Sequence, residues 1–372
     1  MRKTVILLAA IMALLALAGC TLAVNSGGTS ISQNRGMTAY EMFEPANEQE
    51  LMAAGIAGDV NVGYIIVKAS KDFDPKLFQR LGAEVKGSFE INGATYYRVY
   101  RAQGAVKLVT SLRKTPGIIY AQHELLSRIP DNEKAVPVDR AAQARDAAAI
   151  AAVFNDPMTW GRFGHFETTK ALEAYQAYGV GDNIVYVVDI DTGINRTHED
   201  FALEGGQIVE YAKSAFDSID GGHTFEFVGD GNLFVDVPYD ENWDENGHGT
   251  HTAGTIAALG NNGKGVAGVA WKNVRLISYK CFSDTATSGS GSDWAVYGGL
   301  ADLVQWKKAN NINQTIPVNM SLGGSYAGYF ELEMINLALA NDIMIIASMG
   351  NDGYNYHKYP ASYAGVMAIG AT

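Results

Sequence analysis

The second half of the chain alternates short, continuously apolar runs with helix-patterned segments, and this alternation limits the fold more than any other feature. The runs Ile184 to Ile190, Val274 to Tyr279, Pro317 to Met320, Ile343 to Ala347 and Val366 to Ile369 have the length and β-branched content of strands. Between them, helical patterns are expected near Thr168 to Tyr178, Thr250 to Leu259, Asp293 to Asn310 and Phe330 to Asn341. Strands apolar on both faces and separated by helices imply a parallel sheet covered on both sides, an α/β architecture. In such sheets, functional groups gather at the carboxyl ends of the strands.

Upstream, from Val60 to Ile129, the pattern differs. Strand (63–67), helix (75–81), two strands (84–89 and 96–100), helix (106–114) and strand (118–122) give β-α-β-β-α-β, a small ferredoxin-like α+β domain. Asn92-Gly93 marks the central hairpin, and Thr115-Pro116-Gly117 stops the second helix. Residues 130–155, Pro-flanked and Ala-rich, read as a linker, with 141–152 a helical candidate.

The amino terminus is a targeting segment. Met1-Arg2-Lys3 precedes an apolar run too short to span a bilayer, and Leu17-Ala18-Gly19-Cys20 resembles the lipobox of bacterial lipoproteins. Residues 1–20 are therefore expected to be a lipoprotein signal peptide with Cys20 lipidated, and 21–59 a tether. That implies a membrane partner through the lipid anchor and a cell-envelope location, periplasmic or surface. Cys281 is then the only other thiol, so no internal disulfide can form.

The formal charge is −12, and Glu199 to Gly247 alone holds 13 acids and one base. The remainder is balanced, so no basic patch is available to drive counterion release and no nucleic-acid partner is expected.

Two motifs carry chemistry. Val187-Val188-Asp189-Ile190-Asp191-Thr192-Gly193 ends the first strand of the second half, and Asn246-Gly247-His248-Gly249-Thr250-His251 opens a helix. By itself D-T-G is ambiguous, because aspartic proteases use the same triplet, although no second D-[ST]-G is present. Two histidines three apart could bind zinc, yet no third ligand or H-E-x-x-H context accompanies them.

With Asp191 and His248 in this order, followed by Asn319-Met320-Ser321-Leu322-Gly323-Gly324, Ala347-Ser348-Met349-Gly350-Asn351 and Tyr359-Pro360-Ala361, the chain resembles the subtilisin family of serine proteases over about Asp156 to Thr372. The resemblance implies an Asp-His-Ser endopeptidase in which Asp191 orients His248 and Asn351 donates to the oxyanion. It also implies that Ser290, Gly291 and Ser292 pair with the backbone of polypeptide substrates, while Ser321, Leu322 and Gly323 line the primary pocket. Asp200 and Asn262 match positions that supply oxygen ligands to a structural calcium.

By the same resemblance, residues 60–129 are a propeptide that chaperones and inhibits the peptidase domain, 156–372, with maturation within 130–155. Two features depart from the family pattern. Asp189 stands where an apolar residue is usual, and the acidic insertion 204–245 is long enough to cover the cleft, bind a cation or stay a solvated surface. The nucleophilic serine is expected in a Gly-Thr-Ser turn after Val366 to Ile369. The only such triplet, Gly28-Thr29-Ser30, lies in the tether, so this chain alone is expected to be inactive. The alternative is a degenerate family member that binds peptides or proteins without cutting them.

Overall fold

The computed structural model describes residues 40, 42–129, 153–157, 166, 169–203, 206–207, 209–215, 234–237, 244–285, 288–353 and 356–370. The expected signal peptide with Cys20, residues 21–39 of the expected tether, Gly28-Thr29-Ser30, residues 130–152 of the expected linker and most of the acidic stretch 204–245 lie outside them. Among the described residues, no helix is long and apolar enough to cross a membrane.

The tether is shorter than expected. Residues 48–57 form helix α1 (Glu48–Ala57), whose first turn is capped by Asn47 Oδ1 accepting the N–H groups of Gln49 and Glu50, each at 3.0 Å. The Gly58 C-cap is left-handed, and Leu51 and Ala54 are buried.

The N-terminal unit continues with β1 (Val60–Ser70), α2 (Lys76–Arg80), β2 (Glu84–Ile91), β3 (Ala94–Tyr100), α3 (Ala105–Leu112) and β4 (Ile118–Arg128). Its strands lie antiparallel in the order β4-β1-β3-β2. Asn92 (φ 52°) and Gly93 (φ 78°) both take positive φ, as the tight β2–β3 hairpin requires. Strand β4 runs six residues past the expected end at Gln122, because its second half pairs with the C-terminal unit.

That unit begins with α4 (Ala171–Tyr178), β5 (Val185–Asp191), β6 (Val209–Ser214) and β7 (Val235–Asp236). Helix α5 (His248–Ala257), β8 (Val274–Lys280), β9 (Ser283–Thr285) and β10 (Ser288–Ser292) come next. It closes with α6 (Asp293–Ala309), β11 (Ile316–Met320), α7 (Tyr329–Leu339), β12 (Ile343–Ser348) and β13 (Met367–Ile369). The main sheet is ordered β13-β12-β11-β5-β8-β6-β7 and is parallel except for the β6–β7 edge pair. Strand β6 lies within the acidic stretch that the sequence presented as an insertion. Val209, Ala212 and Ser214 are buried while Glu210 faces solvent, an alternation that the surrounding charges conceal.

The two units share a core. Phe89 and Tyr96 stack at 4.8 Å and meet Trp294 of α6 and Phe330 of α7, with Phe89–Trp294 at 5.0 Å and Trp294–Phe330 at 5.9 Å. Such pairs add about 0.5–1.5 kcal/mol each beyond area burial. Polar contacts fix the register: Gln122 Oε1 accepts the Phe330 N–H at 2.8 Å, Ser325 Oγ donates to Asp59 at 2.9 Å, and Lys68 pairs with Glu333.

Behind this contact lies a fully buried ion pair. Arg98 Nε and Nη2 donate to Glu124 at 2.7 and 2.9 Å, Asn61 donates to the same carboxylate at 2.7 Å, and the guanidinium lies 3.9 Å over the Tyr64 ring. Removing one partner of such a pair strands the other charge away from water. Arg98→Met is therefore expected to cost about 3–5 kcal/mol in denaturant unfolding, and Arg98→Met with Glu124→Leu should recover most of that loss.

Candidate active site

Strand β5 delivers Asp191 to the carboxyl end of the sheet, and the chain turns there through Thr192-Gly193. Asp191 is 1% exposed. It accepts the Thr192 N–H at 2.6 Å, and His248 Nδ1 lies 2.7 and 2.9 Å from its two oxygens. A carboxylate facing Nδ1 places the ring proton there and leaves the Nε2 lone pair free to take a proton.

His248 is the first residue of α5, and three partners fix that helix end. Asp244 accepts the N–H groups of Gly247 (2.9 Å) and Thr250 (2.7 Å) and the Thr250 hydroxyl (2.5 Å). Thr192 Oγ1 donates to Asp244 at 2.7 Å and accepts the Gly249 N–H at 2.9 Å. Lys280 Nζ, buried on β8, donates to the Thr192 carbonyl at 2.8 Å. Position 249 must be glycine, because a Cβ there would lie 2.2 Å from the Gly193 carbonyl oxygen. Asp244 and Lys280 were not legible as site residues. The one signal was an acid three residues ahead of Gly247-His248, which resembles a helix cap and was hidden among many acids.

Burial of the His248 ring pulls its pKa down. The hydrogen bond and charge of Asp191, reinforced by Asp189 and Asp244, outweigh that and raise it above the ordinary value. The contribution of the pair to stability is therefore complete below about pH 6.5 and is lost as pH rises through the folded value. Asp189, also 1% exposed, accepts from Asn319 Nδ2 at 2.8 Å and lies 2.8 Å from Thr252 Oγ1. Cys281 is buried beside the pair, with its N–H on the Asp191 carbonyl at 2.9 Å, and burial pushes its thiol well up.

The expected substrate-binding segments face each other across a gap that β4 fills. Its register against β10 is Arg128↔Ser290, Ser127↔Gly291 and Leu126↔Ser292. On the other side, the Arg128 N–H donates to the Gly323 carbonyl at 3.0 Å and the Gly323 N–H to the Arg128 carbonyl at 2.9 Å. The Ile129 N–H reaches the Gly289 carbonyl at 3.4 Å. Residues 126–129 thus lie as the middle strand of three. Of the other pocket residues, Leu322 is buried and Ser321 Oγ bonds to Asn319 at 3.0 Å.

Asn351 is exposed in the turn that follows β12 and makes no hydrogen bond to Asp191 or His248. Asp200 and Asn262 do meet. Asn262 Nδ2 lies 3.5 Å from Asp200 Oδ1, and Asp200 Oδ2 accepts the Val266 N–H at 3.1 Å. Asp156 holds the same loop by accepting the N–H groups of Asn261 (2.7 Å) and Asn262 (3.1 Å), an anchor the sequence did not suggest. Asp200 is a buried carboxylate of the kind a hard, oxygen-seeking cation takes, whereas Asn262 turns its NH2 toward it and its amide oxygen accepts the Lys264 N–H at 2.8 Å.

Asp191→Asn removes the largest raising influence on His248 and leaves burial opposed only by the smaller contributions of Asp189 and Asp244. The His248 pKa, read by NMR titration, should then fall below about 6.5.

A model of the Subtilase family matches residues 182–372, which include Asp191, His248, Ser290 to Ser292, Ser321 to Gly323 and Asn351. Subtilisin DY of Bacillus licheniformis is 35% identical over 200 residues, covering 53% of this chain and 59% of its own length. An alkaline protease of Alkalihalobacillus alcalophilus is 31% identical over 243 residues, 65% of this chain and 52% of that one. The chain spans about half the length of the relatives it matches. Among solved structures, fervidolysin from Fervidobacterium pennivorans superposes with a TM-score of 0.59 at 22% identity, covering 88% of this chain and 44% of that one. At that identity the likeness speaks for the fold alone, and it extends into the N-terminal unit. The family match runs the length of the main sheet and takes in both the acid and the histidine, so this chain belongs to the subtilase family.

Proposed function

We propose that this chain carries the propeptide and the acid–base half of a secreted, lipid-anchored serine endopeptidase. The observation that carries the reading is the arrangement of Asp191 and His248 beside a cleft occupied by a strand of the chain itself. His248 Nε2 would take the proton of an attacking serine, and Asp191 would hold the imidazolium that forms. The proton would then pass to the leaving amine. Asn351 would donate its side-chain amide to the oxyanion, and His248 would act as base again when water attacks the acyl group.

Residues 126–129 lie where a peptide substrate would lie, held by backbone bonds on both edges. Backbone pairing tolerates many side chains, which favours broad cleavage of polypeptides. It also makes the N-terminal unit a product-like inhibitor of its own cleft, retained until the segment 130–155 is cut. Cys20, acylated after export, would hold the protein to the membrane. A non-catalytic, peptide-binding family member would keep the same cleft and differ only at the nucleophile.

The reading requires a serine within reach of His248 Nε2, which the family pattern places in a Gly-Thr-Ser turn downstream of β13. The decisive experiment assays the full-length gene product for peptide hydrolysis and for labelling by a fluorophosphonate. Hydrolysis is expected, with His248→Ala lowering kcat more than about 1,000-fold. Absence of both labelling and hydrolysis would leave the binding-only reading.

With the Asn262 amide turned so that its oxygen faces Asp200, the two residues would hold a structural calcium, tying the 260–266 loop to the segment after β5. Calcium at about 100 times its Kd should then add about 2.7 kcal/mol of stability, read as a higher Tm. Asp200→Ala should abolish the response, and a Tm unmoved by chelator would remove calcium from the account.

A further inference from the structure

Asp189 and Asp191 lie two apart on β5 and so point to the same face, toward α5. Both are buried, but their partners differ. Asp191 has the imidazole of His248, whereas Asp189 has only neutral neighbours: Asn319 Nδ2 at 2.8 Å on one oxygen and Thr252 Oγ1 at 2.8 Å on the other.

The Thr252 hydroxyl is the joint between the two acids. Its oxygen lies 2.8 Å from Asp189 Oδ2, 3.4 Å from Asp191 Oδ2 and 3.0 Å from the Gly249 carbonyl. A hydroxyl has one proton to give. Three acceptors compete for that one proton, and a proton on one of them relieves the competition. The Gly249 carbonyl cannot carry one, and Asp191 already accepts from His248 and from the Thr192 N–H. Asp189 can.

The charged groups around the pair favour this. His248 and Asp244 approach from the α5 side, Lys280 from the end of β8 and Cys281 from the residue after it. Lys280 is committed to the Thr192 carbonyl, and Asn319 on β11 is neutral. Burial first, and then the charge of Asp191, push Asp189 up to about 8.

We propose that Asp189 is a positioning residue for the Asp191–His248 pair, acting through Thr252. In its neutral form it donates to Thr252 Oγ1, and the Thr252 proton is turned toward Asp191 and the Gly249 carbonyl. On ionisation Asp189 takes the Thr252 proton as acceptor, Asp191 loses that donor, and a second negative charge stands behind the imidazole. The second charge makes His248 more basic, so the two groups titrate as one coupled unit. The relevance to turnover rests on the proposed protease activity, but the coupling itself does not.

The test uses the 372-residue protein with 13C-labelled aspartate and 15N-labelled histidine, followed by NMR from pH 5 to 10. The Asp189 carboxyl, assigned and so told apart from the buried Asp293, whose burial also pushes it well up, should titrate above pH 7, and the His248 ring should show a second inflection over the same range. Asp189→Asn mimics the neutral acid, since its oxygen can accept from Asn319 and its NH2 can donate to Thr252. It should abolish both signals and leave a single His248 inflection. Should that variant fail to fold, the wild-type spectrum still decides. An assigned Asp189 carboxyl titrating below pH 6, or an Asp189→Asn curve for His248 identical to the wild type, would overturn the proposal while leaving the protease reading intact. Absence of hydrolysis by the full-length gene product would do the reverse.

Discussion

Strand β4 is the constraint on which the rest of the arrangement depends. Its first half pairs with β1 inside the N-terminal sheet, and its second half pairs with β10 and with Gly323 of the C-terminal unit. An unpaired strand edge exposes N–H and C=O groups that must find partners, and one strand here satisfies both edges of the cleft. Running β4 through the boundary also fixes what lies behind it. Glu124 turns inward to Arg98, Leu125 N–H reaches Asp293 at 3.2 Å, and the aromatic cluster around Trp294 closes over the junction. The apolar contact supplies the driving force, and the buried polar contacts fix one register among those an apolar face would tolerate.

The site is built on the same logic of satisfied acceptors. Asp191, Asp189 and Asp244 converge at the carboxyl end of β5, a concentration of negative charge that an apolar sheet does not readily hold. Backbone N–H groups, the hydroxyls of Thr192, Thr250 and Thr252, and the imidazole answer most of it. Lys280 steadies the Thr192 carbonyl and so acts on the turn that carries the acid. The geometry of the pair is thus set from behind by groups that touch no substrate.

Much of this was legible in the sequence where the signal was local. The apolar runs marked β5, β8, β11, β12 and β13, Asn92-Gly93 marked its hairpin, and the segments around Asp191 and His248 marked the site. The failures were non-local. Strand β4 reads as ending at Gln122 because the pairing of Leu126 to Arg128 comes from Ser290 to Ser292, more than 150 residues away in the chain. Val209–Ser214 is hidden by the acids around it, and Glu48–Ala57 follows a polar segment and buries only Leu51 and Ala54, so its apolar residues draw no helical stripe. Asp244, Lys280 and Thr252 are ordinary polar residues until the fold brings them to the end of β5. Asp189 was conspicuous as an acid in an apolar strand, but its partners Thr252 and Asn319 belong to other elements.

Cys281 illustrates what burial beside such a site entails. Its side chain is fully enclosed, its sulfur lies 3.4 Å from the Ala295 carbonyl, and its backbone N–H is spent on Asp191. Oxidation and disulfide exchange proceed through an accessible thiolate, and this thiol is neither ionised nor reachable. The sulfur beside Asp191 therefore stays chemically silent, even against oxidants and foreign disulfides, for as long as the sheet stays folded.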